Sequence, residues 1–134
     1  MKRALLLLLA TPLLAGCGPG LQGPTREVSA LTVGGEHVQR VTVRTHSYWF
    51  DPNRIRVRRG VPVELTVKNQ SYFVPHSLAC EAKEAGLDFV AHAGMFHGKD
   101  RVTFTPTTVG EYHFHCGVDG HMRKGMTGVL IVTE

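Results

Sequence analysis

Alternation of apolar and polar residues constrains this chain more than any other feature. In Ile55-Arg56-Val57-Arg58 and Val61-Pro62-Val63-Glu64-Leu65-Thr66-Val67, the Ile, Val and Leu side chains occupy one set of alternate positions and Arg, Glu and Thr the other. A period of two marks a half-buried strand, because a helix would scatter the same apolar residues around its circumference. The segment Val38–Val43 also reads as strand, but Val38, Arg40 and Thr42 alternate with Gln39, Val41 and Val43, so its inward face stays ambiguous. Further strands are predicted over Arg101–Phe104, Glu111–Cys116 and Thr127–Val132, with Thr105-Pro106 and Val109-Gly110 punctuating the first gap. Many short strands separated by Gly and Pro turns make an all-β sandwich or barrel. The one predicted helix is short, from Cys80 to Ala85 or a little beyond, where Ala, Glu and Lys cluster before Gly86.

The first residues do not belong to that domain. Lys2 and Arg3 precede an apolar run from Ala4 to Ala10, and Leu14-Ala15-Gly16-Cys17 follows. This is the layout of a secretory signal with a small-residue cleavage site, and the run is too short for a membrane span. Leu-Ala-Gly-Cys resembles a bacterial lipoprotein box, which implies cleavage before Cys17 and lipid on its sulfur. The plain alternative is a secreted protein without lipid. On the lipoprotein reading, residues 1–16 are signal peptide, residues 17–26 a Gly- and Pro-containing linker, and residues 27–134 one domain held at a bacterial membrane surface, periplasmic or cell-surface. A chain of 134 residues has room for one domain with a real core.

Loss of Lys2 and Arg3 lowers the formal charge from +4 to +2. The basic residues are spread over several segments with no long basic run or aromatic ladder, which argues against nucleic acid. Three cysteines, one of them in the leader box, do not describe a disulfide framework. Cys80 has no evident partner.

The residues that carry chemistry lie in Cys116-x4-His121-x4-Met126, on a segment that leaves a strand and enters a loop, with His76 about forty residues upstream in Val74-Pro75-His76-Ser77. Two imidazoles, a thiolate and a thioether form the ligand set of a mononuclear electron-transfer copper site, with His2Cys as a trigonal plane and Met weakly on the axis. Soft sulfur suits copper(I), imidazole suits copper(II), and a fixed mixture lets either state sit with little rearrangement. By strand alternation Tyr112, Phe114 and Cys116 share one face, so Cys116 points inward beneath aromatic rings, while His113 and His115 face the other way.

The chain resembles the cupredoxins, the small blue-copper family. The resemblance is carried by Phe50-Asp51-Pro52 leading into Ile55-Arg56-Val57, by Gly60 to Leu65, Asn69, Pro75-His76-Ser77, and by Gly110-Glu111-Tyr112 running to Cys116, His121 and Met126. Four residues on each side of His121, and Ser77 after the first histidine, are similar to the rusticyanin and sulfocyanin branch rather than to plastocyanin. The resemblance implies a Greek-key β-sandwich, one copper per chain, and metal ligands His76, Cys116, His121 and Met126.

Each residue has a plainer reading. Cys116 alone would be a small buried hydrophobe, and His76 alone a satisfied core histidine. Met122 competes with Met126 for the axis, but Gly125 frees the chain to bring Met126 round. His115 directly before Cys116 is similar to multicopper oxidases and copper nitrite reductases, where it leads to a second copper; Gly117 stands where the oxidases place a further His, and surface histidines are the default for His113 and His115. Cys80 lies about 13 Å along an extended chain from His76, too far for a shared metal, and reads as a buried thiol. His92, His97 and Met95 show no ligand spacing, and His37 and His46 read as surface residues.

These features predict a membrane-tethered electron carrier outside the cytoplasm. It would exchange electrons through the His121 edge with redox proteins such as cytochromes or a terminal oxidase or reductase, with Arg123 and Lys124 steering an acidic partner. Four protein ligands leave no open position for a substrate, which argues against an enzyme. Copper delivery or storage is the alternative function, though only four Met occur, one of them the initiator. A zinc-binding domain is disfavoured by the thioether and by the lack of any Cys-x2-Cys pair.

Overall fold

The computed structural model describes residues 23–32 and 37–134. The predicted signal peptide, Cys17 and most of the predicted linker lie outside the described residues. Eleven strands are formed among the described residues: β1 (Glu27–Ser29), β2 (Leu31–Thr32), β3 (Gln39–His46), β4 (Trp49–Asp51), β5 (Arg54–Arg58), β6 (Val63–Asn69), β7 (His76–Ala82), β8 (Leu87–Ala93), β9 (Lys99–Phe104), β10 (Gly110–His115) and β11 (Thr127–Thr133). One sheet has the order β1-β5-β11-β10-β7-β8; the other runs β2-β3-β6-β9, with β4 paired to β3. Among the described residues no helix is long and apolar enough to cross a membrane.

Alternation decides which face is buried in the strands that have one wet face. Ile55 and Val57 of β5, and Val63, Leu65 and Val67 of β6, are buried as their period predicts. The ambiguity in β3 is resolved toward Gln39, Val41, Val43 and Thr45. Gln39 is tolerated inside because its amide is fully used: Nε2 donates to the carbonyls of Arg58 and Val61, and Oε1 accepts the Arg58 amide. The two inner faces close on Leu78, Leu87, Phe104, Phe114, Leu130 and Val132. Phe50 meets Phe114 edge-on at 5.2 Å.

Several expectations are corrected. The helix predicted from Cys80 is not there: Cys80, Glu81 and Ala82 continue β7 and pair with Phe89, Asp88 and Leu87. What remains is a 3-10 turn over Lys83–Ala85, closed by Gly86 at φ 72°, a left-handed conformation that glycine adopts without steric cost. The segment Leu87–Ala93 is a full strand that alternation did not reveal. A second 3-10 turn, Met122–Lys124, lies in the ligand loop. At the end of the predicted linker, Pro24 O accepts a hydrogen bond from Asn53 Nδ2 at 3.3 Å and the Arg26 amide donates to Asn53 Oδ1 at 2.9 Å.

Candidate metal centre

Strand order brings the ligand candidates together. β7 and β10 are neighbours with His115 opposite Ala79, so the start of β7, which carries His76 and Ser77, meets the chain as it leaves β10 at Cys116. His76 is the first residue of β7, and that strand pairs with β8 along its whole length. His121 arrives on the loop between β10 and β11. This loop folds back through hydrogen bonds from His121 N to Val118 O at 3.1 Å, Met126 N to His121 O at 3.1 Å, and Cys116 N to Met126 O at 3.1 Å. Gly125, at φ 87°, makes the reversal that a side-chain-bearing residue would resist. The last bond fastens the two ends of the loop together.

His76, Cys116 and His121 each offer a ligand atom, and all three atoms lie within 4.8 Å of one another in a buried cluster. Cys116 Sγ is 3.5 Å from His121 Nδ1. With metal–nitrogen and metal–sulfur bonds of about 2.0 and 2.3 Å, as for zinc, the nitrogen–sulfur edge of a trigonal plane is about 3.7 Å. The cluster therefore has the size of one coordination plane. His76 is 2% exposed, yet neither of its ring nitrogens has a hydrogen-bond partner. Burying an unpaired imidazole is costly, and a metal ion is the partner that removes the cost.

The surroundings oppose protonation of the same groups. Burial, followed by the charges of His121 and His46, pushes the His76 pKa down to about 4. Burial is also the main cause of a lowered pKa at His121. Neutral imidazoles are the forms that bind metal. The Ser77 amide donates to Cys116 Sγ at 3.4 Å, and Ser77 Oγ accepts the Gly117 amide at 2.8 Å. A hydrogen bond on the sulfur from a backbone amide is one of the contacts that tune a metal–thiolate centre.

Met126 is fully buried, whereas Met122 is 53% exposed. Phe114 and Cys116 point inward, while His113 is exposed and His115 half-buried. His113 and His115 take no part in the cluster around Cys116. Cys80 lies in the core, where burial raises its thiol pKa. His37, His92 and His97 are exposed.

Two residues have parts that the sequence did not reveal. His46 is half-buried rather than fully exposed: its ring stacks on Trp49 at 4.2 Å, its Nε2 is buried without a partner, and burial lowers its pKa. Tyr48, at φ 68°, meets the His121 ring edge-on at 5.0 Å and has Lys124 Nζ 4.0 Å above its own ring. His121 is accordingly only 7% exposed, and less of its edge reaches solvent than expected. The aromatic run Tyr48-Trp49-Phe50 was the available signal.

A family model for the cupredoxin-like domain matches residues 25–132. The chain belongs to the cupredoxin-like family. Among solved structures, this cupredoxin-like chain is similar to the metal-binding domain of the Streptococcus pneumoniae D39 Cu(I)-exporting P-type ATPase CopA: TM-score 0.61, 22% identity, 84% of this chain and 100% of that one. Auracyanin from the photosynthetic bacterium Roseiflexus castenholzii gives TM-score 0.61 at 23% identity, over 75% and 100% of the two chains. Rusticyanin from Thiobacillus ferrooxidans gives 0.58 at 19%, over 80% and 82%. At these identities the likeness is one of fold. No curated protein matches the sequence as a relative.

Proposed function

We propose that this cupredoxin-like protein is an electron carrier with one copper ion held by His76, Cys116 and His121, with Met126 as the weak axial ligand. The observation that carries the reading is the buried cluster of two imidazoles and one thiol, in which His76 has no other partner for its nitrogens. Copper supplies a one-electron couple between its two common oxidation states. The protein's part is to hold both imidazoles neutral and keep the thiolate dry beside Phe114. The backbone bonds of the loop and of β7 keep the donor atoms near their places in either state. Met126 is favoured over Met122 because its side chain is buried beside the loop's closing hydrogen bonds while Met122 faces solvent.

We further assign the protein to the outer side of a bacterial membrane, tethered by lipid on Cys17, with redox proteins as partners. The supports are the Leu14-Ala15-Gly16-Cys17 box and the apolar run before it.

The test is optical and magnetic. Purified protein loaded with copper(II) should bind one equivalent, show intense thiolate-to-copper absorption and a single electron paramagnetic resonance signal, and bleach on reduction. A colourless protein that holds only copper(I) and yields it to a chelator would replace the carrier reading with copper delivery. Labelled fatty acid should enter the wild-type chain and not Cys17→Ser.

A further inference from the structure

Most cations among the described residues are paired with acids. Arg26 pairs with Asp51, Arg54 and Arg56 with Glu27, Arg59 with Glu134, Lys83 with Asp88, and both Arg40 and Arg101 with Glu64. Arg44, Lys68 and Lys99 are exposed, and no carboxylate of the described residues lies within ion-pair distance of them. The register sets these three in one row: Arg44 of β3 faces Lys68 of β6, and Lys68 faces Lys99 of β9. Neighbouring strands lie about 4.8 Å apart, and like charges facing one another across strands destabilise a sheet. The adjacent acids do not offset the row. Asp51, opposite Arg44 on β4, is held by Arg26, and Asp100 accepts the amides of His92 and Arg101. Sheet stability does not account for this row.

The row stands at the end of the sheet nearest the ligand cluster. Beyond it β6 ends at Asn69 and the chain enters the loop that leads to His76, while Lys99 is the first residue after the loop Gly94–Gly98. Those two loops meet in an aromatic tip. Tyr72 packs edge-on against Phe73 at 4.8 Å and Phe96 at 5.0 Å, and all three rings are exposed, Phe73 by 76%. Phe96 and His97 are both left-handed, at φ 58° and 56°, a costly conformation for residues with a Cβ. The Phe96 amide donates to Tyr72 O at 2.7 Å, fastening the loops in that form. Strained backbone is thus kept in a shape that holds apolar rings in water.

An apolar centre bordered by charge of one sign is the layout of a protein docking surface. We propose that Tyr72, Phe73 and Phe96, with the Arg44–Lys68–Lys99 row beside them, receive an acidic redox protein that approaches the metal centre from the His76 side. That the partner is a redox protein rests on the electron-carrier reading; the sign of its surface rests on the row.

The test uses the copper-loaded protein and two forms of one probe, basic native cytochrome c and its acidic succinylated form. One electron passes from the ferrous haem iron to copper(II), so that iron is oxidised and copper reduced, read at the haem band by stopped flow. At low salt the succinylated form should exchange electrons at least about tenfold faster than the native form, and salt should remove the advantage. Lys68→Glu with Lys99→Glu should erase the preference, Phe73→Ser should slow exchange about tenfold at every salt concentration, and Lys83→Glu should change nothing. Amide line broadening by the succinylated probe, which needs no electron transfer, is expected at Lys68, Tyr72, Phe73, Phe96 and Lys99. Broadening there in a protein that fails to bind copper would keep the docking surface and discard the carrier reading. Broadening confined to residues 117–125, or a loss of exchange in Arg123→Glu but not in the double variant, would overturn the proposal. So would loss of binding to phosphatidylglycerol vesicles in the double variant with electron exchange intact.

Discussion

His76 reaches the ligand cluster at the head of a seven-residue strand paired to β8 along its length, whereas His121 reaches it on a loop closed by a few backbone bonds and a 3-10 turn. The two imidazoles also differ in their surroundings. Neither nitrogen of His76 has a partner, while His121 lies beside the Cys116 sulfur and is backed by the edge-on Tyr48 ring. One ligand is set by the scaffold before any metal arrives; the other is held by contacts that a local change can loosen. A centre that changes oxidation state with little rearrangement needs the first kind of ligand, and a loop lets the second close around the ion. Cys116 joins the two, since its sulfur takes the Ser77 amide from the strand side and its own amide binds Met126 O on the loop side.

The largest expected effect removes that junction: Cys116→Ser should abolish the intense absorption of the copper(II) protein, read in a visible spectrum. Glycine substitutions should then separate the two histidines. In His121→Gly, added imidazole should enter from the loop side and restore the spectrum. In His76→Gly, where the lost ring was 2% exposed at the head of a fully paired strand, it should not; equal rescue at both positions would erase the difference between the two ligands.

The copper-free protein should reveal the cost of the enclosed ring through pH. The folded-state pKa of His76 is lowered from 6.5 to about 4, so below pH 6.5 the unfolded chain takes up a proton that the folded chain refuses. Stability is therefore full above pH 6.5 and falls as pH drops toward 4, by up to about 1.4 kcal/mol per pH unit for this group. His76→Leu should flatten that decline in denaturant melts, and copper(I) should suppress it. A smaller effect is expected at Ser77→Ala, which removes the acceptor of the Gly117 amide bond and should cost about 1 kcal/mol in the same melts. Smallest of all, His115→Ala should leave copper stoichiometry at one, because that ring faces away from the Cys116 side of β10. Loss of a second equivalent would show that the outer face of β10 binds metal too.

Much of this fold is legible in the sequence wherever a strand has one wet face. β5 and β6 could be read residue by residue, and so could the inward turn of Phe114 and Cys116. Strands without that contrast were hidden. β7 is buried on both faces from His76 to Cys80, so its Ala- and Glu-containing end resembled a helix. β8 places Ala91 and Ala93 inward and Val90 outward, which blurs the period of two. His46 escapes the pattern for a different reason: it lies on the outer set of β3 positions, but the Trp49 ring stacks on it.

The types and spacing of Cys116, His121 and Met126 follow from the sequence, because a short loop can bring residues five positions apart around one point whatever the rest of the chain does. The partnership with His76 does not follow from it. That depends on β10 lying beside β7 with His115 opposite Ala79, a pairing between distant segments chosen by how the two sheets bury their apolar faces. The same holds for Tyr48 against His121 and for the row of Arg44, Lys68 and Lys99. Local pattern sets which way a side chain points; only long-range pairing decides what stands opposite it.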